Sequence, residues 1–184
     1  MTTATFTRPH IGPPASDEHA PYYSRYTGLV HSDDIVATLN DQLRGFTGFL
    51  SRFSEADAEY RYAADKWSVK QVLGHIVDAE RIFAYRALRI SRNDSTPIEG
   101  FEQDGYVASG PFDHCSFSSL VEEFGQVRNA TLSLFRCLDE EAWARVGTAS
   151  NNKVSVRALA YIIAGHAVHH QGILEQKYLP QRSQ

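Results

Sequence analysis

Hydrophobic residues recur at steps of three and four in four long segments of the chain. The segments run from about Ser32 to Phe53, Ser68 to Ser91, Ser118 to Leu138 and Ser155 to Tyr178. This spacing places the apolar residues on one face of a helix. No segment alternates polar and apolar positions over a useful length, so we predict no sheet. Helices of about 20 residues are about 30 Å long, which predicts an all-α four-helix bundle.

Residues at the predicted helix ends support these boundaries. Ser68 with Gln71 has the capping-box pattern, in which each side chain accepts a hydrogen bond from the backbone of the other. Ser119 with Glu122 has the same pattern near the start of the third helix. Pro180 is expected to end the fourth helix, since proline cannot continue it.

The connections between the helices are polar and rich in glycine and proline. The glycines and prolines of residues 92–115 predict a long loop there. Loops of this length in a compact domain are often functional. Within it, residues 100–106 mix aromatic and acidic side chains, as a pocket wall would. Residues 139–144 are expected to add a short helical turn, and residues 147–153 to form a polar loop. The long second connection also permits a parallel crossover, so periodicity leaves the helix order open.

The chain begins with a segment of different character. Residues 1–20 contain three prolines and predict a flexible, extended N-terminal arm, followed by a single domain over residues 21–184. Tyr22, Tyr23 and Tyr26 come directly after the arm. Aromatic side chains this close together are expected to lie against the domain.

Composition narrows the class of protein. A chain of 184 residues with 42% hydrophobic and 22% charged residues predicts one folded domain and excludes disorder for most of it. A formal net charge of −4 without a basic run argues against a nucleic-acid binder. Two cysteines are too few for a disulfide scaffold. No apolar stretch is long enough for a membrane span and the start lacks signal-peptide character, so we expect a cytoplasmic protein.

The fourth predicted helix carries three of the eight histidines, His166, His169 and His170. His166 and His170 are four residues apart, so both project from the apolar face, one turn above the other. A neutral imidazole pair at this spacing can hold one divalent metal ion. His169 is turned about 100° from His170. The alternative is that the pair only hydrogen-bonds to buried carbonyl groups.

A third histidine, His75, lies beside the apolar seam of the second helix, and Gly74 next to it allows a close approach. In a bundle, a histidine from one helix can meet a pair from another. Three imidazoles leave coordination positions open for water or substrate, as in catalytic sites. Asp78, one turn later, is either an orienting group or fourth ligand, or the partner of Arg81 or Arg86 in an ordinary ion pair.

Together these motifs resemble the DinB-like superfamily, in the branch of YfiT-type metal-dependent hydrolases and bacillithiol S-transferases. Their order and spacing carry the resemblance, which covers nearly the whole chain after residue 17. In chain order they are Tyr22-Tyr23-Ser24-Arg25-Tyr26, Trp67-Ser68-Val69-Lys70-Gln71, His75 with Asp78, Gly100-Phe101-Glu102-Gln103-Asp104, and His166-x-x-His169-His170.

The resemblance implies a bundle with up-down-down-up helix order, often a homodimer. It also implies a nickel or zinc ion held by His75, His166 and His170, with His169 outside the ligand set. The sequence departs from the family at Gln171, where many relatives have an arginine. The activities implied are hydrolysis, or S-transfer of a low-molecular-weight thiol to an electrophile.

Two classes of function therefore follow. The first is a metal-dependent enzyme acting on a small molecule, with Asp78 assisting catalysis and Tyr22, Tyr26, Phe101 and Tyr106 lining the substrate cavity. The alternative is a non-catalytic metal-binding stress-response bundle. An open cavity at the metal would favour the enzyme, and a metal capped by protein would favour the binding bundle. A third reading, in which the histidines bind nothing, predicts far less than one metal ion per chain.

Overall fold

Four long helices form the centre of the computed structural model, which describes residues 9–179. Within that range, no helix combines the length and apolarity that crossing a bilayer requires. The helices are α1 (Ser24–Thr27), α2 (Ile35–Leu50), α3 (Glu55–Ala58), α4 (Val69–Ser91), α5 (Gln103–Ser109), α6 (Phe117–Arg136), α7 (Glu140–Ala144) and α8 (Val156–Lys177); the strands are β1 (Val146–Ala149) and β2 (Asn152–Ser155). Short 3-10 turns cover Pro21–Tyr23 and Phe112–His114. The predicted four-helix bundle is confirmed, with α2, α4, α6 and α8 as its long helices.

Side-chain caps explain where the long helices begin. The predicted capping box at α4 is present. The backbone N–H of Gln71 donates to Ser68 Oγ at 3.1 Å, and the backbone N–H of Ser68 donates to Gln71 Oε1 at 3.2 Å. At α8, Ser155 Oγ accepts from the Ala158 amide at 2.9 Å. These caps satisfy backbone donors that the first helical turn leaves without partners.

Two of the predicted helix starts were wrong by a few residues. The first helix begins at Ile35 and not near Ser32, and it is capped by Asp34, whose Oδ1 accepts from the Ala37 backbone amide at 3.0 Å. The third is capped by Ser116, whose Oγ accepts from the Ser119 amide at 3.1 Å. The cluster of serines at this start offered several capping candidates, and local sequence alone did not distinguish them.

Two contacts at different heights in each helix pair fix the directions of the helices. α2 and α6 are antiparallel, because the start of α6 lies beside the end of α2. α4 runs parallel to α6, and α8 runs parallel to α2. The order is therefore up-down-down-up, as the resemblance implied. For α2 with α6, the contacts are Asn40–Arg136 (3.0 Å) and Phe53–Phe117 (6.4 Å between ring centroids). For α4 with α6, they are Gln71–Asp113 (3.2 Å) and Arg81–Glu123 (2.7 Å). For α2 with α8, they are Gln42–Ala164 (3.0 Å) and Arg52–Glu175 (3.8 Å).

A β-hairpin corrects the prediction of no sheet and of a polar loop over residues 147–153. β1 pairs antiparallel with β2, from Val146 opposite Ser155 to Ala149 opposite Asn152. Ser150 and Asn151 form the turn with φ of 51° and 60°. Two successive left-handed residues suit a two-residue hairpin turn, because their twist matches that of the strands. Four-residue strands are too short to show a convincing alternation in sequence.

The predicted loop over residues 92–115 also contains more structure than expected. Helix α5 interrupts it, and Glu102 caps that helix by accepting a hydrogen bond from the Gly105 amide at 2.9 Å. Ile98 exchanges backbone hydrogen bonds with the hairpin, through Thr148 and Ser150, each at 2.9 Å. Gly105 disfavours a helix here by propensity, but the Glu102 cap outweighs that preference.

The described part of the N-terminal arm packs against the bundle. Ile11 is buried in the core, and its carbonyl accepts from the Tyr161 hydroxyl at 3.3 Å. The Glu18 carboxylate accepts from Ser155 Oγ at 2.6 Å and pairs with Arg157. Burial alone would raise the pKa of Glu18, but the hydrogen bonds from Arg157 and Ser155 leave it lowered. Residues 1–8 lie outside the described residues, and the flexibility expected for residues 1–20 stays a prediction.

A buried ion pair connects the long helices. The side chains of Arg128 and Glu80 are 0% and 2% exposed, and they form two hydrogen bonds of 2.8 and 2.9 Å. Arg128 also donates to the carbonyl of Leu39 at 3.2 Å and to Gln42 Oε1 at 3.1 Å. Gln42 in turn donates to the Ala164 carbonyl at 3.0 Å, so one network joins all four long helices.

Breaking this pair is expected to destabilise the fold strongly. The Arg128→Met variant leaves Glu80 buried without its cation, which costs about 3–5 kcal/mol in the free energy of unfolding. Urea denaturation measures the loss. Arg44→Met is the control, because Arg44 and Asp41 form an exposed pair, and it should change the stability by less than about 1 kcal/mol. A loss for Arg128→Met no larger than that of the control would contradict a structural role for the network.

Candidate metal centre

Three histidine side chains converge between α4 and α8. His75 comes from α4, and His166 and His170 come from α8. Their ligand atoms lie within 4.8 Å of one another, and all three residues are buried. Nε2 of His166 is 3.0 Å from Nε2 of His75 and 3.1 Å from Nε2 of His170. The convergence expected from the sequence is therefore present in the fold.

Helix geometry brings these rings together. His166 and His170 are one helical turn apart and share a face of α8. The antiparallel packing of α4 brings His75 against them, and the Tyr178 hydroxyl secures that packing by donating to the Trp67 carbonyl at 2.7 Å. The pair is therefore placed by spacing within one helix, and the third imidazole by tertiary packing.

Two glycines allow close packing beside the histidines. A Cβ atom on Gly74 would lie 2.3 Å from the ring of Phe112, so the absence of a side chain lets that ring pack on α4. A Cβ atom on Gly165 would lie 2.0 Å from the carbonyl oxygen of Tyr26. Gly165 thus lets α1 lie directly on α8, which places the Tyr26 ring 5.2 Å from that of His166.

Burial makes the three imidazoles neutral. It lowers the pKa of His75 to about 4 and that of His170 to about 3, with neighbouring imidazoles contributing further. Burial also lowers the pKa of His166 well below its ordinary value. At neutral pH each ring therefore has a nitrogen lone pair, which is the form that binds metal ions.

The donor set fits a divalent metal ion. Nε2 of His166 faces Nε2 of His75 and Nε2 of His170. Because it has only one proton or one lone pair, it can form a good hydrogen bond with only one of these two nitrogens. A cation among the three would instead accept a lone pair from every ring. Nδ1 of His170 is buried and has no hydrogen-bond partner within residues 9–179. Three imidazoles suit zinc and nickel equally well, so the ligands do not identify the ion.

A cavity of about 330 Å³, here called the tyrosine cavity, opens beside the cluster. His75 and His166 form part of its wall, so the cluster is open to the cavity and not covered by protein on this side. Tyr22, Tyr26 and Phe101, three of the four residues predicted to line a substrate cavity, do line it. Its lining is Tyr22, Tyr23, Tyr26, His75, Ala79, Phe83, Phe101, Glu102, Gln103 and His166.

A second cavity of about 460 Å³ borders the cluster at His170. Trp67 contributes to its wall, and the Trp67 ring lies 4.9 Å from that of His75. The cluster therefore borders two cavities with different linings. The second is lined by Tyr62, Asp65, Lys66, Trp67, Val72, Asp104, His170, Ile173 and Tyr178.

Two of the predicted site residues lie elsewhere. Asp78 and Tyr106 line a surface groove of about 630 Å³, which adjoins the tyrosine cavity at Glu102. Asp78 is 3.5 Å from Arg81, which matches the ion-pair alternative, and burial raises its pKa. Tyr106 contacts the Phe101 ring at 5.3 Å between centroids but does not line the tyrosine cavity.

His169 is half-buried, lies outside the three-histidine cluster, and packs on Tyr26.

Five residues of the tyrosine cavity were not among the predicted site residues, and one of them is Ala79. Tyr23 and Phe83 complete its aromatic wall, and Glu102 and Gln103 supply polar groups. Phe83 follows His75 by eight residues, which places both on one face of a helix, so spacing would have revealed it. Glu102 and Gln103 lie in the segment expected to form a pocket wall, but their direction depends on α5.

The fold and the site define a class, the helical bundles that carry three converging histidines. The family within that class follows from comparison: a model of the DinB superfamily matches residues 38–174, and the chain belongs to this superfamily. No curated protein matches the chain. Among solved structures, the fold is similar to that of YfiT from Bacillus subtilis, described as a probable metal-dependent hydrolase with an unusual four-helix bundle topology. That match has a TM-score of 0.71 and 13% identity, and covers 81% of this chain and 85% of YfiT.

Proposed function

We propose that this chain is a metal-dependent hydrolase of a small molecule. His75, His166 and His170 would hold one divalent cation, and the substrate would occupy the tyrosine cavity. The observation that carries the proposal is a cluster of three neutral, buried imidazoles, two of which, His75 and His166, form part of the wall of an open cavity. The description of YfiT as a probable metal-dependent hydrolase supports the same reaction class.

The chemistry divides between the cation and the chain. A bound divalent cation would supply a water of lowered pKa and a Lewis acid for a substrate carbonyl. The aromatic side chains of the cavity exclude bulk water from the bound substrate, which strengthens polar interactions inside it. Gln103 offers both a hydrogen-bond donor and an acceptor to orient a polar substrate group.

The open cavity favours an enzyme over the non-catalytic metal-binding stress-response bundle. A protein that only binds the ion gains nothing from exposing it to a substrate-sized space, and structural metal sites are normally closed by four protein ligands. Here His75 and His166 border the tyrosine cavity, and no fourth ligand joins the cluster within residues 9–179.

The lining favours hydrolysis over thiol S-transfer. Low-molecular-weight thiols such as bacillithiol carry carboxylates, and cationic side chains are the usual partners of such groups. No lysine or arginine is among the described residues that line the tyrosine cavity. Gln171, where the family resemblance implies an arginine, is also uncharged. The identity of the ion as nickel or zinc, the homodimer and the cytoplasmic location stay predictions.

Metal content and chelator-sensitive turnover test the proposal together. Protein purified without a histidine tag is expected to carry about one divalent ion per chain by elemental mass spectrometry. It should hydrolyse at least one member of a panel of small esters and amides, lose that activity on chelation and regain it on reloading. Metal far below one per chain would contradict the centre. One metal per chain with no chelator-sensitive hydrolysis would favour the binding bundle.

A further inference from the structure

The tyrosine cavity has the chemistry of a receptor for an organic cation. We propose that it recognises an ammonium or quaternary ammonium group on the substrate. This inference deepens the proposed function and rests on it for the cavity being the substrate site. Aromatic rings attract cations to their faces, because the ring quadrupole places negative potential there.

The rings form walls that face in different directions. The planes of Tyr22 and Tyr23 meet at 82° with centroids 5.4 Å apart, and those of Tyr22 and Tyr26 at 81° with centroids 6.1 Å apart. Tyr23 and Phe83 meet at 85°, with centroids 6.0 Å apart. Phe101 contributes a fifth ring to the lining. Nearly perpendicular rings enclose a rounded group, such as a methylated ammonium, better than a flat anion.

The charges of the lining agree with this shape. Glu102 is the one carboxylate among the described residues that line the cavity, and no lysine or arginine accompanies it. Glu102 is held in place by its hydrogen bond to the Gly105 amide at 2.9 Å. A cation in the cavity would therefore meet a carboxylate together with aromatic rings, whereas no lysine or arginine of the lining is there to meet an anion.

Two arginines outside the lining already place their guanidinium groups over rings of the cavity. The guanidinium of Arg25 lies 4.1 Å from the ring centroid of Tyr22, which shows that this ring accepts a cation. The guanidinium of Arg86 lies 5.7 Å from the centroid of Phe83 and donates to the Glu99 carbonyl. Their positive charges oppose a second cation, so the decisive comparison is between a charged ligand and its neutral isostere.

Binding to chelator-stripped protein tests the inference without relying on activity. Choline and its uncharged isostere 3,3-dimethylbutan-1-ol have the same shape, and isothermal titration calorimetry at fixed ionic strength compares them. Choline is expected to bind about tenfold or more tightly, as desolvated cation–π contacts and a carboxylate would give. Equal or weaker binding of choline, binding of neither compound, or displacement of choline by acetate at equal ionic strength would overturn the inference.

Variants locate the binding. Tyr22→Leu and Glu102→Gln should each reduce the preference for choline over its isostere at least threefold. Tyr106→Leu is the matched control, because Tyr106 is 49% exposed, like Tyr22 at 51%, but lies outside the lining. Melting temperatures close to that of the wild type would show that these variants fold. A loss of preference in the control as large as that in Tyr22→Leu would overturn the assignment to this cavity.

Metal analysis of the same preparation separates the two proposals. One ion per chain with no preference for choline would contradict the organic-cation site and leave the metal-dependent hydrolase standing. A clear preference for choline in protein that binds no metal would support the cation site and contradict the metal-dependent reaction.

Discussion

The His170→Ala variant is expected to bind divalent metal at least a hundredfold more weakly than the wild type. Loss of a group that merely supports a ligand costs about 10–100-fold in affinity, and loss of one of three ligands should cost more. His170 is buried against His166, with the two Nε2 atoms 3.1 Å apart, so no other side chain of the cluster replaces it. His169→Ala is the control, because His169 is the adjacent histidine and lies outside the cluster.

Two measurements report this loss. In the wild type, free metal at 100 times the dissociation constant should raise the free energy of unfolding by about 2.7 kcal/mol, and His170→Ala should lose this gain. Nickel or copper should also quench the fluorescence of Trp67, whose ring lies 4.9 Å from that of His75. Unchanged metal affinity in His170→Ala, or an equal loss in His169→Ala, would contradict the proposed ligand set.

The Gly165→Ala variant is expected to be destabilised by about 1–3 kcal/mol or more, the usual range for overpacking. Its new Cβ atom would lie 2.0 Å from the carbonyl oxygen of Tyr26, so the backbone of α1 must move away from α8. A side chain could rotate aside, but a backbone carbonyl cannot. Because α1 carries Tyr26 against His166, the shift should also widen the tyrosine cavity and weaken ligand binding there.

Gly172→Ala provides the matched control in the same helix. A Cβ atom on Gly172 would meet nothing within 4 Å, so the substitution should stabilise α8 by about 0.5–1 kcal/mol through the helix propensity of alanine. Chemical denaturation gives both changes. If Gly165→Ala proved as stable as Gly172→Ala, the close contact of α1 with α8 would be wrong.

Periodicity predicted the parts of the molecule that depend on local spacing. The four long helices follow from apolar residues at steps of three and four, because each helix buries one face. The placement of His166 and His170 on one face follows from the same geometry. His75 lies on the seam of α4, so its meeting with the pair could be expected once the bundle was assumed.

The rest depends on tertiary contacts that spacing does not encode. The hairpin of β1 and β2 is stabilised partly by its pairing with Ile98, which lies in a different part of the chain. The direction of Tyr106 depends on α5, a helix that Gly105 within it disfavours. Asp78 follows His75 by three residues, yet it pairs with Arg81 and lines another groove. Shared helical spacing therefore placed these residues near the site without bringing them into it.

The two sides of the candidate metal centre are far apart in the chain, since His75 and His166 are separated by 91 positions. An extended polypeptide keeps such groups too distant to share one ion, and closing so long a loop carries an entropic cost. Folding must therefore bring α4 and α8 together before an ion can be captured. Metal occupancy thus reports the integrity of the helix packing, and chains damaged at that contact would be left without the ion.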